Sequence, residues 1–481
     1  ELPSRRKKIP FACCRQAAGR THKPPHLGAE SSCASTRPES GSPKPASTQT
    51  KNKDRRVLAD LAPHSLMASF RLGRGLLAAI GGTGLAGAAV ALAPYPLAGD
   101  IKEKFGTGLY KHVLWQGVRL LDPETAHGLS IMAAKYRLTP TDRVPDDPSL
   151  AVETLGSKFT NPLGLAAGCD HNAEAVEAFT SMGFGFVEIG TVTPARQEGN
   201  KKPRVFRLEE DRGVINRVGY ANVGVDEVGE RLKGLRQAGF KGKIGVNVGF
   251  CKGAGTVPGD LQLGLQVCAP YADYVVINAA QLYHPPIPAF RDIKAQPTEL
   301  SCILKAVMAY RRMAHPTVPM LVKIHPDFTD QQLREVCKVI MAEGYDGIIV
   351  SAPSGQRPET IKSSVKEFGG LSGAPMKDAS TQCLRKVYEY TGGKVPLIGV
   401  GGVMSGQDAY EKIRAGASLV QMYSGLAYEG PFIVPRIKWD LAELARKDGF
   451  ATVQAAVGAD VKMNLLTAAG SDTGKRAGFL W

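Results

Sequence analysis

The sequence predicts an α/β protein built on a (β/α)8 TIM barrel, with an N-terminal membrane anchor and a small two-helix cap. Three observations carry this. After Asp146 the chain repeats eight short apolar runs: Leu163–Ala167, Phe186–Ile189, Ile244–Val248, Tyr274–Ile277, Met320–Ile324, Gly347–Val350, Pro396–Val400 and Ser418–Met422. Runs of this kind suit strands buried on both faces of a parallel sheet. Helical patterns lie between most of them, as at Asp330–Glu343 and Ser380–Thr391, with Gly344 and Gly416 where helices would end. A doubly wound open sheet is the competitor, but no G-x-G-x-x-G follows the first run, and eight units exceed what such a sheet usually needs.

The elements before the barrel follow in order. Residues 1–56 hold 13 Lys or Arg against 4 acids. Such a stretch buries too little apolar surface to fold alone. Its basic, Ser-containing, acid-poor character suits a mitochondrial presequence, with a disordered tail as the bland reading. Within 57–100, the run Gly75–Gly99 carries no charge and is long enough to span a bilayer. It is read as a single N-terminal anchor; a cleaved signal core and a soluble Ala-rich helix are its rivals. Residues 101–145 form the cap. Ile101–Arg119 puts Phe105, Leu109, Val113, Leu114 and Val118 on one apolar face. Asp122-Pro123-Glu124 starts a second helix, with Asp as N-cap and Pro in the first turn, running to about Tyr136. Two such helices can lie in a membrane interface or pack on the main domain. Thr139–Pro148 reads as a linker, and 146–481 as the barrel.

Composition narrows the function classes. The net charge of +15 sits largely in the first 56 residues, and no recognition motif accompanies it, so nucleic-acid binding is not expected. Nine cysteines lie scattered without a C-x-x-C pair, which suits reduced thiols and gives no metal site.

The chemistry should gather at the strand C-termini. Ala166, Ala167, Gly168, Thr191, Asn247, Asn278, Lys323, Ser351, Tyr423 and Ser424 fall there. Two late Gly-rich turns, Gly369–Gly373 and Gly399–Gly402, let backbone N–H groups approach a phosphate. Lys323, in an apolar setting, is placed to stabilise negative charge in the mouth; the alternative is a solvated strand-end lysine. Asn247 and Asn278 offer amides to a heterocycle edge, or satisfy local backbone.

Several strings go further: Leu121-Asp-Pro-Glu-Thr-Ala-His127, Gly183-Phe-Gly-Phe-Val-Glu-Ile-Gly190, Gln197-Glu-Gly-Asn200, Pro203-Arg-Val-Phe-Arg-Leu208, Val214-Ile-Asn-Arg217, Gly369-Gly-Leu-Ser-Gly373 and Ile413-Arg-Ala-Gly-Ala-Ser-Leu-Val-Gln421. Together they resemble the class 2 (quinone-linked, mitochondrial) dihydroorotate dehydrogenase family, from about Leu121 to Val457. The resemblance implies FMN in the barrel mouth, dihydroorotate above it, and a quinone tunnel under the two N-terminal helices at the inner mitochondrial membrane. It implies that Ala166, Ala167, Gly168, Asn247, Asn278, Lys323, Gly373, Gly402 and Tyr423 bind FMN, with Ser351 and the hydroxyl-keeping exchanges Thr191 and Ser424. It also implies that His127, Arg207 and Tyr423 line the ubiquinone tunnel.

The substrate side departs from the family pattern. His171 stands where the family has Lys; Asn216 and Gly219 persist, followed by Tyr220. Gln281 occupies the position of the base Ser, Tyr283 that of an orotate-binding Asn, and Ala352-Pro353 that of Asn-Thr. A carboxamide has no useful proton affinity near neutral pH, so Gln281 cannot be a general base. His284, three residues on, is the candidate substitute. Three functions therefore compete: a working dihydroorotate dehydrogenase, a flavoprotein with another small substrate, and a non-catalytic subunit of a mitochondrial membrane complex.

Overall fold

In the computed structural model, residues 106–251, 255–280 and 296–463 are described. The strands are β1 (Val152–Thr154), β2 (Ser157–Phe159), β3 (Leu163–Leu165), β4 (Phe186–Val192), β5 (Val205–Leu208), β6 (Gly213–Asn216) and β7 (Lys243–Val248), then β8 (Tyr274–Asn278), β9 (Met320–Ile324), β10 (Gly347–Val350), β11 (Gly370–Gly373), β12 (Leu397–Val400) and β13 (Leu419–Met422). Eight of them close into a barrel in the order β3-β4-β7-β8-β9-β10-β12-β13, and β13 pairs back onto β3. Every rung of that barrel is parallel, so each strand ends at the same mouth.

The eight barrel strands are the eight apolar runs of the sequence. They are mostly apolar because the barrel interior and the surrounding helices bury both faces. Val246, Val275, Val322 and Leu397 are fully buried. Helix Asp330–Glu343 shows how the intervals are set. Thr329 and Gln332 form a capping box at its start, and Gly344, at φ 71°, closes it in the left-handed region.

Three features lie outside the repeating pattern. β1 and β2 form a hairpin, and Phe159 stacks edge-on against Phe186, centroids 5.5 Å apart. β5, β6 and β11 form a separate antiparallel sheet in the order β11-β6-β5. In the cap, α-helical residues 106–109 lead into a π-helical turn, Tyr110–Leu114, that runs into Trp115–Val118. The widened turn interrupts the simple α periodicity read from the sequence.

The second cap helix spans Pro123–Lys135. Asp122 caps it, accepting from the N–H groups of Glu124 and Thr125. Its apolar side chains do not all find the core: Leu129 is 48% and Met132 52% exposed, as is Leu114 at 53% on the first segment. The chain between cap and barrel is pinned, because Lys438 Nζ lies 2.7 Å from Asp142 and 2.6 Å from Asp146. Among the described residues no helix is long and apolar enough to cross a membrane. The expected presequence and anchor, 1–56 and 57–100, lie outside the described residues, as does Phe105.

Candidate active site

The floor of the mouth is a polar network inside an apolar barrel. Glu188 on β4 is fully buried. It accepts from Asn247 Nδ2 (2.9 Å), Gln421 Nε2 (2.6 Å) and the Tyr274 hydroxyl (3.3 Å). Thr191 Oγ1 donates to Asn247 Oδ1 (2.7 Å), and Asn278 Nδ2 donates to Thr191 Oγ1 (2.9 Å). Four strands, β4, β7, β8 and β13, are thereby tied together. Asn247 therefore spends both ends of its amide on neighbours, which limits what it presents upward.

Above this floor lie polar atoms with no partner in the protein. Asn278 Oδ1 and Ser351 Oγ are buried and unpaired. Buried polar atoms are nearly always satisfied, so an unpaired pair at the mouth marks a place for a ligand. Lys323, 6% exposed, lies beside Asn278 across the β8–β9 register. Burial pulls its pKa down, and the Glu188 carboxylate opposes that pull. The late glycine turns are tight: at Gly402 (φ 71°) an added Cβ would stand 2.4 Å from the Lys377 backbone, and at Gly373 (φ 91°) 2.4 Å from the Arg212 carbonyl. Ser424 Oγ donates to Ser372 Oγ at 3.1 Å between them. Ala166, Ala167 and Gly168 line the same cavity, whose volume is about 2630 Å³.

The cavity continues under the cap. His127 Nδ1 lies 3.2 Å from the Tyr423 hydroxyl. Arg207 donates to the Leu121 carbonyl (2.9 Å), and its guanidinium sits 5.7 Å over the Trp115 ring. A second arginine fastens cap to barrel. Arg204, 7% exposed, meets Glu124 at 2.6 and 3.1 Å and donates to the Glu198 and Asn200 carbonyls. That pairing holds the Glu124 carboxyl below its usual range.

The rim above the floor is poorer in charge. His171 lies 6.2 Å from His127, ring to ring. Burial, reinforced by His127 and Arg204, pushes its pKa down to about 4, so the ring is neutral at neutral pH. It does not supply the cation that a lysine would. Tyr220 takes φ 58°, and its buried hydroxyl has no partner. Its ring meets Phe250 at 6.4 Å. Gly219, at φ 75°, packs on the Asn200 amide, and Asn216 ends β6 facing the cavity. Ala352 and Pro353 line the side next to β10 without a side-chain donor. Gln281, Tyr283 and His284 lie outside the described residues.

Two site features escaped the sequence reading. The carboxylate of Glu188 stands in the middle of an apolar run, a signal in itself, but its three donors come from strands far apart in the chain. His325, two residues past Lys323, lines the cavity with Asp327. Its only sequence signal is a titratable residue placed two beyond a strand-end lysine.

A parallel eight-stranded barrel with a polar mouth defines a class of scaffold that hosts many enzymes. Comparison with known proteins is more specific. The family model described as dihydroorotate dehydrogenase matches residues 149–445. The dihydroorotate dehydrogenase (quinone) of Azorhizobium caulinodans is 46% identical over 348 residues, 71% of this chain and 97% of that protein. The mitochondrial quinone enzyme of Oryza sativa is 44% identical over 371 residues, 71% of this chain and 78% of that one. The mitochondrial quinone enzyme of Mus musculus is 43% identical over 350 residues, covering 71% and 88%. The crystal structure of the Eimeria tenella dihydroorotate dehydrogenase with ferulenol superposes with a TM-score of 0.66 at 38% identity, covering 70% of this chain and 96% of that one. The chain belongs to the dihydroorotate dehydrogenase family.

Proposed function

We propose that the chain is an FMN-dependent oxidoreductase that passes electrons from a small saturated ring donor to a quinone, with dihydroorotate as a weak donor. The observation that carries this is the pair of buried, unpaired atoms, Asn278 Oδ1 and Ser351 Oγ, beside Lys323 at the barrel mouth. A flavin's pyrimidine edge has the donors and acceptors to satisfy them. Bound there, FMN would supply a two-electron acceptor that a quinone can reoxidise. Lys323 would hold the negative charge near N1 and O2. Gly373, Gly402, Tyr423 and Ser424 would hold the phosphate, with Ala166, Ala167, Gly168 and Thr191 against the ring.

The quinone assignment rests on relatives named for that acceptor and on His127, Arg207 and Tyr423 in the cavity under the cap. We read 101–145 as a membrane-interface cap on a barrel of 146–481, because its exposed Leu114, Leu129 and Met132 suit a bilayer surface. Relatives named as mitochondrial and the basic 1–56 segment support a place at the mitochondrial inner membrane.

The donor is weak because the rim has lost its grip on an anion. His171 is neutral, and Ala352 and Pro353 offer no side-chain hydrogen bond. One charge-assisted bond is worth about 2 kcal/mol, or roughly thirtyfold in affinity. The test is the visible spectrum of the isolated protein, then anaerobic dihydroorotate, then a short-chain ubiquinone. Flavin absorbance that bleaches and returns upholds the reading. A colourless protein that takes up no FMN favours the second reading, a non-catalytic subunit of a membrane complex, which Gln281 at the base position motivates.

A further inference from the structure

A cation lies behind the Gly399–Gly402 turn, out of sight of the mouth. Lys412, on helix Gly406–Arg414, is 0% exposed, and its Cβ packs against Gly399. Its Nζ donates to Ser380 Oγ at 2.7 Å and to Thr381 Oγ1 at 3.0 Å, early in helix Lys377–Thr391. Both acceptors are neutral. The carboxylates of Asp408 and Glu411 are held instead by Lys377, at 2.9 and 3.0 Å. A cation taken out of water against neutral acceptors is costly, and burial pulls the Lys412 pKa down to about 7. An anion close by would offset that cost.

The hydroxyls lead from this charge to the mouth. Lys412 occupies a lone pair of Ser380 Oγ, and the Ser380 hydroxyl in turn lies 3.0 Å from the Gly401 carbonyl as its donor. In a trans peptide the C=O and the N–H point opposite ways. A Gly401 carbonyl turned back to Ser380 therefore aims the Gly402 N–H away from it, and Gly402 lines the cavity. Gly402 is buried, and its N–H finds no acceptor among the described residues. Buried N–H groups are rarely left so. The turn also sits hard on the helix, since a Cβ added at Gly401 would stand 3.0 Å from Ser380.

We propose that Lys412 is a positioning residue of the phosphate cradle: it holds Ser380 on Gly401 so that Gly402 presents its N–H, and its charge offsets a bound phosphate dianion from behind the turn. The inference rests on the flavin reading proposed above. It makes the phosphate, rather than the ring, the part of the cofactor to which Lys412 responds. Binding then carries a proton with it. Lys412 is mostly neutral at about pH 8 in the empty cradle, and a dianion nearby favours its charged form. The other ionisable groups facing it are Asp408 and Glu411 on its own helix and Lys377 and Cys383 on helix Lys377–Thr391. Asp440, on helix Ile433–Lys447, lies against Gly406. The bond to Asp408 raises the Lys377 pKa, and burial holds the Cys383 thiol up at about 12, so neither exchanges a proton near pH 8.

The test titrates the flavin-free full chain with FMN and with riboflavin, by flavin fluorescence, for wild type, Lys412→Met and Ser380→Ala. Lys412→Met should weaken FMN binding by about thirtyfold and riboflavin binding by less than about twofold. Ser380→Ala removes the link to Gly401 and keeps the charge; it should weaken FMN by about threefold, again sparing riboflavin. A second readout needs no variant. Calorimetric titration of wild type at about pH 8, in two buffers of different ionisation enthalpy, should show a proton taken up with FMN and none with riboflavin. A wild type that binds neither flavin removes the functional reading and this inference together. A wild type that binds FMN without proton uptake, or variants that keep FMN affinity or lose FMN and riboflavin alike, overturns the Lys412 assignment alone.

Discussion

The floor and the rim of the barrel mouth are built to different rules. On the floor, Glu188, Asn247, Thr191, Asn278, Tyr274 and Gln421 engage one another, at distances from 2.6 to 3.4 Å. On the rim, His171 is neutral, Tyr220 has an unpaired hydroxyl, and Ala352 and Pro353 contribute no side-chain polar atom. A dense network over-determines its members, so one exchange strands several partners. A rim of separately held side chains can change one position at a time. On the function proposed above, the contrast would let a chain keep a cofactor cradle while its donor contacts diverge.

The largest effect should come from the floor. Glu188→Leu strands three buried donors and should cost about 3–5 kcal/mol in urea unfolding. A loss below about 1 kcal/mol would break the idea that the floor is one network. Next, the double change Asn278→Ala and Ser351→Ala should weaken FMN binding by roughly tenfold to a hundredfold in a fluorescence titration. Folding stability of the FMN-free protein should not fall in proportion, since two buried unpaired atoms are removed. Equal losses in both assays would mean these groups serve the fold.

On the rim, His171→Lys should tighten orotate binding by roughly thirtyfold, measured as a shift of the flavin band. No gain would show that anion recognition was lost elsewhere. The same histidine sets an acid sensitivity. Its folded pKa of about 4 lies below the ordinary histidine value of 6.5. As pH falls from 6.5 towards 4 the unfolded chain takes up a proton that the folded chain refuses. Stability contributed by the neutral ring is full above pH 6.5 and shrinks by on the order of 3 kcal/mol across that window. His171→Gln should flatten that part of the stability profile. The smallest effect is expected at the seam with the cap. Tyr423→Phe removes the hydroxyl that meets His127 and should raise the quinone KM by about threefold, for one neutral hydrogen bond.

The barrel was legible in the sequence because burial on both faces leaves largely apolar runs, and each of the eight runs is a barrel strand. The antiparallel sheet was not. Its rungs join Gly213–Asn216 to Gly370–Gly373, segments too short and too far apart for a local pattern to reveal. The strand-end positions of Lys323, Asn278 and Ser351 could be read, since barrel topology sends every C-terminus to one mouth. What they do not touch could not be read. That Asn278 Oδ1 and Ser351 Oγ lack partners, and that Asn247 has spent its amide on Glu188 and Thr191, emerges only from three-dimensional packing.

Arg204 gives the cap an unusual kind of fastener. Its guanidinium is shielded from solvent, so raising ionic strength screens the grip on Glu124 only weakly. On the function proposed above, a lipophilic acceptor would therefore enter beside the cap with the clasp still shut. Brine should leave the doorway as it was, whereas neutralising Glu124 would turn a fixed porch into a swinging gate.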